Sequence, residues 1–203
     1  MTVTAITGDI GSGKSTAAKL LAGILGCERL DSDSIAKNMW LREDVKAQAV
    51  SRWGSEILDP SGRIILSRIA EHVFSAKSES DFCNGLIHPL VMADLQERTK
   101  NLSSAVVEIP LLPEAGRPEW ADRAIYITAK FEARAQRCRS QRGWSIDELR
   151  RRESLLLPQN ERIAVCEYVV SNDDGIDRLA QKLADTIIHT ERRMLQKSVS
   201  LQT

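Results

Sequence analysis

Apolar residues fall along this chain in two alternating rhythms. Short β-branched runs, Val3–Ile6, Ala105–Ile109, Arg123–Thr128 and Tyr168–Ser171, are continuous enough for strands buried on both faces. Between them the apolar positions recur at helical spacing. Ala17, Leu20, Leu21, Ile24 and Leu25 mark one helix, with Gly26 as its stop. A second short strand ends at Leu30, and a helix runs from Ser34. From 42 to 100 the pattern is mostly helical: a stripe of Ala47, Val50 and Trp53 ends at Gly54, and Asp59-Pro60-Ser61-Gly62 is a turn. Ile69, Ala70, Val73 and Phe74 form the next stripe, and Phe82–Lys100 a longer helix that is interrupted or entered at His88-Pro89.

Further along, Phe131–Arg142 reads as a helix and Gly143-Trp144-Ser145 as a turn. Ser145-Ile146-Asp147-Glu148 reads as a capping box opening another helix. Pro158 starts a helix over 159–167, and Ile176–Leu195 is a long helix with Leu179, Leu183 and Ile187 on one face. Residues 196–203 read as a polar tail. Five strands alternating with helices predict an α/β three-layer fold with a mostly parallel five-stranded sheet. The division expected is one domain over 1–195. Its core comprises 1–40, 103–130 and 160–195, with a helical section at about 41–102 and a lid at about 131–159.

The first strand runs into Gly8-Asp9-Ile10-Gly11-Ser12-Gly13-Lys14-Ser15, followed by Thr16 and the helix. A G-x-x-x-x-G-K-S stretch between a strand and a helix is the phosphate-binding P-loop. Glycines let backbone N–H groups turn toward an anion, and the helix dipole points at the same spot. Lys14 can reach the β- and γ-phosphates, and the Ser15 hydroxyl is the expected protein ligand to Mg²⁺. Asp31 and Asp33 fall at the carboxyl end of the second strand, where ligands bind in open α/β sheets. Either can cap the following helix, and either can serve the site. Glu108, near the end of a buried strand, needs a partner or a cation and sits where such proteins place the acid that bonds metal-bound water. Seven arginines, Arg134, Arg137, Arg139, Arg142, Arg150, Arg151 and Arg152, crowd the hinge around residue 144. Arginines on a closing lid neutralise a transferring phosphoryl group, though ion pairs with Glu132, Asp147, Glu148 and Glu153 explain part of the cluster.

Over the 203 residues, Lys plus Arg equals Asp plus Glu at 28 each, so bulk charge favours neither a nucleic-acid nor a membrane-surface partner. Cys27, Cys83, Cys138 and Cys166 lack C-x-x-C spacing and read as reduced thiols of a cytoplasmic protein rather than a metal site. No signal-type or membrane-spanning run is read.

Taken together, the P-loop, Leu30–Lys37 with its D-x-D, His88-Pro89, Val107–Glu114 with its P-L-L-x-E, and Val169–Gly175 resemble the dephospho-CoA kinase family over about residues 3–188. The resemblance implies transfer of the γ-phosphate of ATP to the ribose 3′-hydroxyl of dephospho-CoA, with ATP and Mg²⁺ as cofactors. A monomer or weak homo-oligomer is expected. Gly11, Ser12, Gly13, Lys14, Ser15 and Thr16 would hold the phosphates, and Asn172 and Gly175 the adenine side. Asp33 would be the base, with Lys14 and Arg137 catalytic; His88, Pro89, Leu112 and Glu114 would border the acceptor; Ser15 and Glu108 would attend the metal. Asp9 stands where the family usually has a glycine, Leu66 where it has an arginine, Gln141 at its second lid arginine, and Leu156 at a glutamine. The substrate-side departures keep open a related kinase for a nucleoside monophosphate or other small acceptor. A non-catalytic nucleotide-binding module is a third reading.

Overall fold

A computed structural model describes residues 2–110, 112 and 116–200, with side-chain surroundings up to 189. The five strands are β1 (Thr2–Gly8), β2 (Glu28–Asp31), β3 (Ser104–Glu108), β4 (Arg123–Thr128) and β5 (Tyr168–Ser171). They pair in the order β2-β3-β1-β4-β5, every pair parallel. The apolar runs of β1, β3 and β4, the three central strands, are continuous because helices cover both faces. Alternate side chains go to opposite layers. Val3, Ala5, Ala105, Val107 and Ala124 pack on one side, while Ile6, Val106, Ile125 and Ile127 pack on the other. Since all strands run one way, Gly8, Asp31, Glu108, Thr128 and Ser171 end at the same edge.

On the second of those faces lie α1 (Lys14–Leu25) and the last helix, α9 (Ile176–Ser200), with Ala17, Leu21, Leu179, Leu183 and Ile187 buried. Gly26 stops α1 in the left-handed conformation, its N–H returning to Ala22 and Gly23. The backbone of α9 continues to Ser200, so the helix extends past 195 into what reads as a polar tail.

The other face is covered by α2 (Ser32–Met39), α3 (Glu43–Trp53), α4 (Leu66–Val73) and α5 (Lys77–Thr99). In α3 the buried stripe is Val45, Ala49 and Trp53, at i, i+4 and i+8; Ala47 is exposed. Of the expected stripe, Trp53 is buried and Val50 packs partly buried against the core, while Ala49 rather than Ala47 completes the face. In α5 the proline expected to interrupt or begin the helix sits inside it. Pro89 is exposed, while Ile87, Val91, Leu95 and Thr99 anchor the opposite side to the core. That burial outweighs the one backbone bond that proline removes.

The remaining helices are α6 (Phe131–Arg142), α7 (Ile146–Glu153) and α8 (Gln159–Ala164). Ser145 caps α7 by accepting from the Glu148 N–H at 3.1 Å. The Glu148 carboxylate does not return to complete a box; it takes Arg151 and Arg152 instead. α8 ends before Glu167, whose carboxylate accepts the Ala124 N–H at 2.7 Å and so joins the start of β4. Among the described residues no helix is long and apolar enough to cross a membrane.

Candidate active site

The loop between β1 and α1 carries its glycines where a side chain would collide. Gly8 has φ +148°, and a Cβ there would meet the Ile127 carbonyl oxygen at 2.0 Å. Gly13 has φ +91°, and a Cβ would approach Asn172 Nδ2 to 2.4 Å. Other groups hold the loop's carbonyls from outside. Asn172 Nδ2 donates to Ser12 O at 2.8 Å. Arg137 donates to Gly11 O at 3.3 Å, Ser12 O at 3.2 Å and Asn172 O at 2.7 Å. Lys14, Ser15 and Thr16, the first turn of α1, line the cavity, and N–H groups of a helix's first turn have no intrahelical acceptor.

Lys14 Nζ donates to Gly8 O at 3.2 Å and Asp9 O at 2.9 Å. Burial lowers its pKa to about 8, against the opposing pull of Glu108, Asp33 and Asp9; nearby Arg142 lowers it further. Ser15 Oγ donates to Glu108 Oε1 at 2.7 Å, and Arg29 reaches Glu108 Oε2 at 3.3 Å and Asp31 at 3.5 Å. Burial raises the pKa of Glu108, with the Ser15 bond working the other way.

The two aspartates divide their work. Asp31 is the N-cap of α2, accepting from the N–H of Asp33 at 3.0 Å and of Ser34 at 3.4 Å. Asp33 lines the cavity instead. Desolvation and the adjacent Asp31 carboxylate raise its pKa, partly offset by Lys14, Lys37 and Arg142.

Two cavities meet at Asp33. The larger, about 580 Å³, runs over Gly11, Gly13, Lys14, Ser15 and Thr16 between Glu108 and the helices α6 and α7, with Asn172 and Gly175 on its rim. The smaller, about 180 Å³, lies toward α5 and includes Cys83, Asn84 and His88. Burial lowers the pKa of His88. Pro89 lines neither cavity, and Leu112 is wholly buried in the core. Glu114 lies outside the described residues. Ser12, within the loop itself, is fully buried. Of the seven arginines, Arg137, Arg142 and Arg152 line the larger cavity. Arg139 is exposed, while Arg134 is buried and bonded to the Ala129 and Ile10 carbonyls and to Glu153.

Sequence reasoning missed an arginine–aromatic stack on the cavity wall. The Arg152 guanidinium lies 3.8 Å from the Phe74 ring centre and 4.0 Å from that of Trp144, and Arg142 stacks on Trp144 at 4.7 Å. No periodicity connects residues 74, 144 and 152. The buried partners of Asp9 were also missed, although a carboxylate in a loop of otherwise small and apolar residues was a visible signal.

For Mg²⁺, the donors at hand are the Ser15 hydroxyl and the Glu108 carboxylate, both hard oxygens. Among the described residues no group of three or more His, Cys, Asp or Glu forms a metal cage. That set fits an ion that keeps its waters and takes its remaining ligands from substrate phosphates.

A parallel sheet with a P-loop at its carboxyl edge, and a cavity there lined by Arg137, Arg142, Arg152 and Asp33, defines a P-loop kinase. Shikimate kinase from Acinetobacter baumannii shares the fold, with a TM-score of 0.56 at 18% identity over 94% of each chain. A structure described as TT1252 from Thermus thermophilus is closer, with a TM-score of 0.76 and 28% identity, covering 93% of this chain and 97% of that one. The dephospho-CoA kinase of Fusobacterium nucleatum is 29% identical over 180 residues, 88% of this chain and 93% of its own. The family model for dephospho-CoA kinase matches residues 2–178, and the chain belongs to that family. Its activity is ATP-dependent phosphoryl transfer to an alcohol hydroxyl.

Proposed function

We propose that this chain transfers the γ-phosphate of Mg·ATP to the ribose 3′-hydroxyl of dephospho-CoA, with Asp33 as the base. The observation that carries this reading is the position of Asp33 where the phosphate-side cavity meets the cavity beside α5. A hydroxyl entering from the second cavity would come to Asp33, the carboxylate among the described residues that lines both cavities.

In this reading the residues act chiefly by positioning and electrostatics. Gly11–Thr16 cradle the triphosphate, and Lys14 leaves the Gly8 and Asp9 carbonyls to meet the β- and γ-phosphates. Ser15 and Glu108 would hold Mg²⁺, which supplies charge neutralisation on the phosphates. Arg137 braces the loop and, with Arg142 and Arg152, offsets the charge that spreads over the transferring group. Asn172 and Gly175 border the adenine side. His88 borders the acceptor. Leu112 supports the wall from the core, and Pro89 stands exposed outside both cavities. Leu66 is 41% exposed, and Arg68 donates to the Glu56 carbonyl rather than into a cavity. The acceptor's charge is therefore met from the lid, not from α4.

The test is ADP formation by the purified protein, comparing dephospho-CoA with nucleoside monophosphates and a no-acceptor control. Turnover with dephospho-CoA alone is the expected result. Turnover only with another acceptor would transfer the claim to that substrate. ATP binding without turnover on any acceptor would point to the non-catalytic module.

A further inference from the structure

The residue that the mechanism leaves without a task is Asp9, 1% exposed and wholly enclosed by donors. Its carboxylate accepts from Tyr126 Oη at 2.6 Å and Thr128 Oγ1 at 2.7 Å, both on β4. It also accepts from Gln159 Nε2 at 2.9 Å and Arg162 at 3.0 Å, both on α8, the helix that follows the lid. Burial would raise its pKa. The Tyr126 and Thr128 bonds and the charges of Arg134 and Arg162 more than reverse that, and the group stays ionised. Its main chain is equally committed. The N–H donates to Ile127 O at 3.1 Å, and the carbonyl accepts Ser12 N at 3.2 Å and Lys14 Nζ at 2.9 Å.

One residue thus holds the P-loop cation with its backbone and the lid's return helix with its side chain. Arg162 extends the connection, because its Nε donates to Leu157 O at 2.9 Å, next to Leu155 and Leu156 in the cavity wall. Four donors around one buried carboxylate tolerate little displacement: shifting α8 strands either the anion or a guanidinium without a partner, at high cost.

We propose that Asp9 is a positioning residue that couples the lid's return helix to Lys14, so that lid placement and phosphate-binding geometry change together. The proposal rests on the reading of Lys14 as the phosphate-binding cation. A buried ion pair that merely holds the fold would occupy the same place, so the test must separate stability from coupling.

The test compares wild type, Asp9→Asn, Arg162→Met and the double variant. Asp9→Asn leaves Arg162 buried without its anion and lowers the melting temperature. The double variant removes both charges and recovers much of that loss, since a buried pair replaced by neutral groups is often close to neutral. Coupling predicts that kcat with dephospho-CoA falls about 10- to 100-fold in Asp9→Asn and stays low in the double variant. The dissociation constant for ATP, read by equilibrium binding, changes far less. A kcat that recovers with the melting temperature, or never falls, overturns the proposal. If wild type fails to turn over dephospho-CoA, the acceptor reading has failed, and amide hydrogen exchange of Gln159–Ala164 decides the coupling alone. Protection on adding Mg·ATP, present in wild type and lost in the double variant, supports it; equal protection in both overturns it.

Discussion

At the scale of single residues, Asp31 and Asp33 make opposite predictions although they lie two positions apart. Asp31 accepts two backbone N–H groups, so Asp31→Ala should cost roughly 1 kcal/mol of stability, the usual loss for an N-cap. Asp33 accepts none of these bonds. Asp33→Asn should leave the melting temperature nearly unchanged while kcat falls about 10²- to 10⁴-fold, the span of general acid–base catalysis. Steady-state kinetics with thermal melts of both variants check this; a destabilised Asp33→Asn with normal kcat would assign Asp33 to the fold. Lys14 gives a pH signature. Its ammonium, with a pKa near 8 in the free protein, is protonated below that pH and neutral above it. The ratio kcat/KM for Mg·ATP, which reports the free enzyme, should therefore decline as pH rises past about 8. In kcat the same limb should move upward, because bound phosphates favour the charged form. Lys14→Arg keeps the charge at all these pH values, so its profile should lack the limb even at a lower rate. A limb that persists in Lys14→Arg belongs to another group.

At the scale of elements, the loop and its neighbours form a matched set. Gly13 and Asn172 are so close that Gly13→Ala adds a steric clash to the strain of a positive φ. Nucleotide affinity should fall sharply in Gly13→Ala and return only in part in Gly13→Ala/Asn172→Ala, where the clash is relieved and the strain stays. Equilibrium binding of ATP checks this; full recovery would mean that the backbone angle carries no cost. These elements differed in how plainly the sequence revealed them. The strands buried on both faces, β1, β3 and β4, read as unbroken apolar runs and were plainly legible, whereas the edge strand β2 buries only Leu30 and β5 only Val170. Leu179, Leu183 and Ile187 marked the face of α9 by recurring at i, i+4 and i+8, even though Ile176 and Ile188 stand exposed on the same helix. Pro89 misled because a proline's local cost is written in the sequence, whereas the burial of Val91 and Leu95 that overrides it depends on partners far along the chain. The P-loop was legible because its chemistry is contiguous. The partners of Asp9, spread over residues 126–162, were not, since only the packing of α8 beside β4 brings them together.

At the scale of the whole molecule, the end of α4 and the α6–α7 helices meet on the wall of the larger cavity through the stack Phe74–Arg152–Trp144–Arg142. Arg151 adds a hydrogen bond to the Phe74 carbonyl. Phe74 lies just after α4 and is only partly buried, so it contributes less to the core than to this bridge. Arg152 needs none of its N–H donors for stacking and gives Nε to Glu148 at 2.6 Å, which fixes the plane of the guanidinium. A cation–π contact contributes about 0.5–2 kcal/mol, depending on how far water is excluded. If that free energy favours the closed arrangement in which transfer occurs, Phe74→Ala should lower kcat/KM for dephospho-CoA about 2- to 30-fold. Melting temperature should change little. A looser lid also admits water, so the ratio of ADP formed to phosphorylated acceptor should rise above that of wild type. Arg152→Met should do the same, and the double variant should lose less than the sum of the two, since the pair can be broken only once. Additive losses with an unchanged product ratio would mean that Phe74 and Arg152 pack the cavity wall independently, leaving closure to the connection through Asp9 and α8.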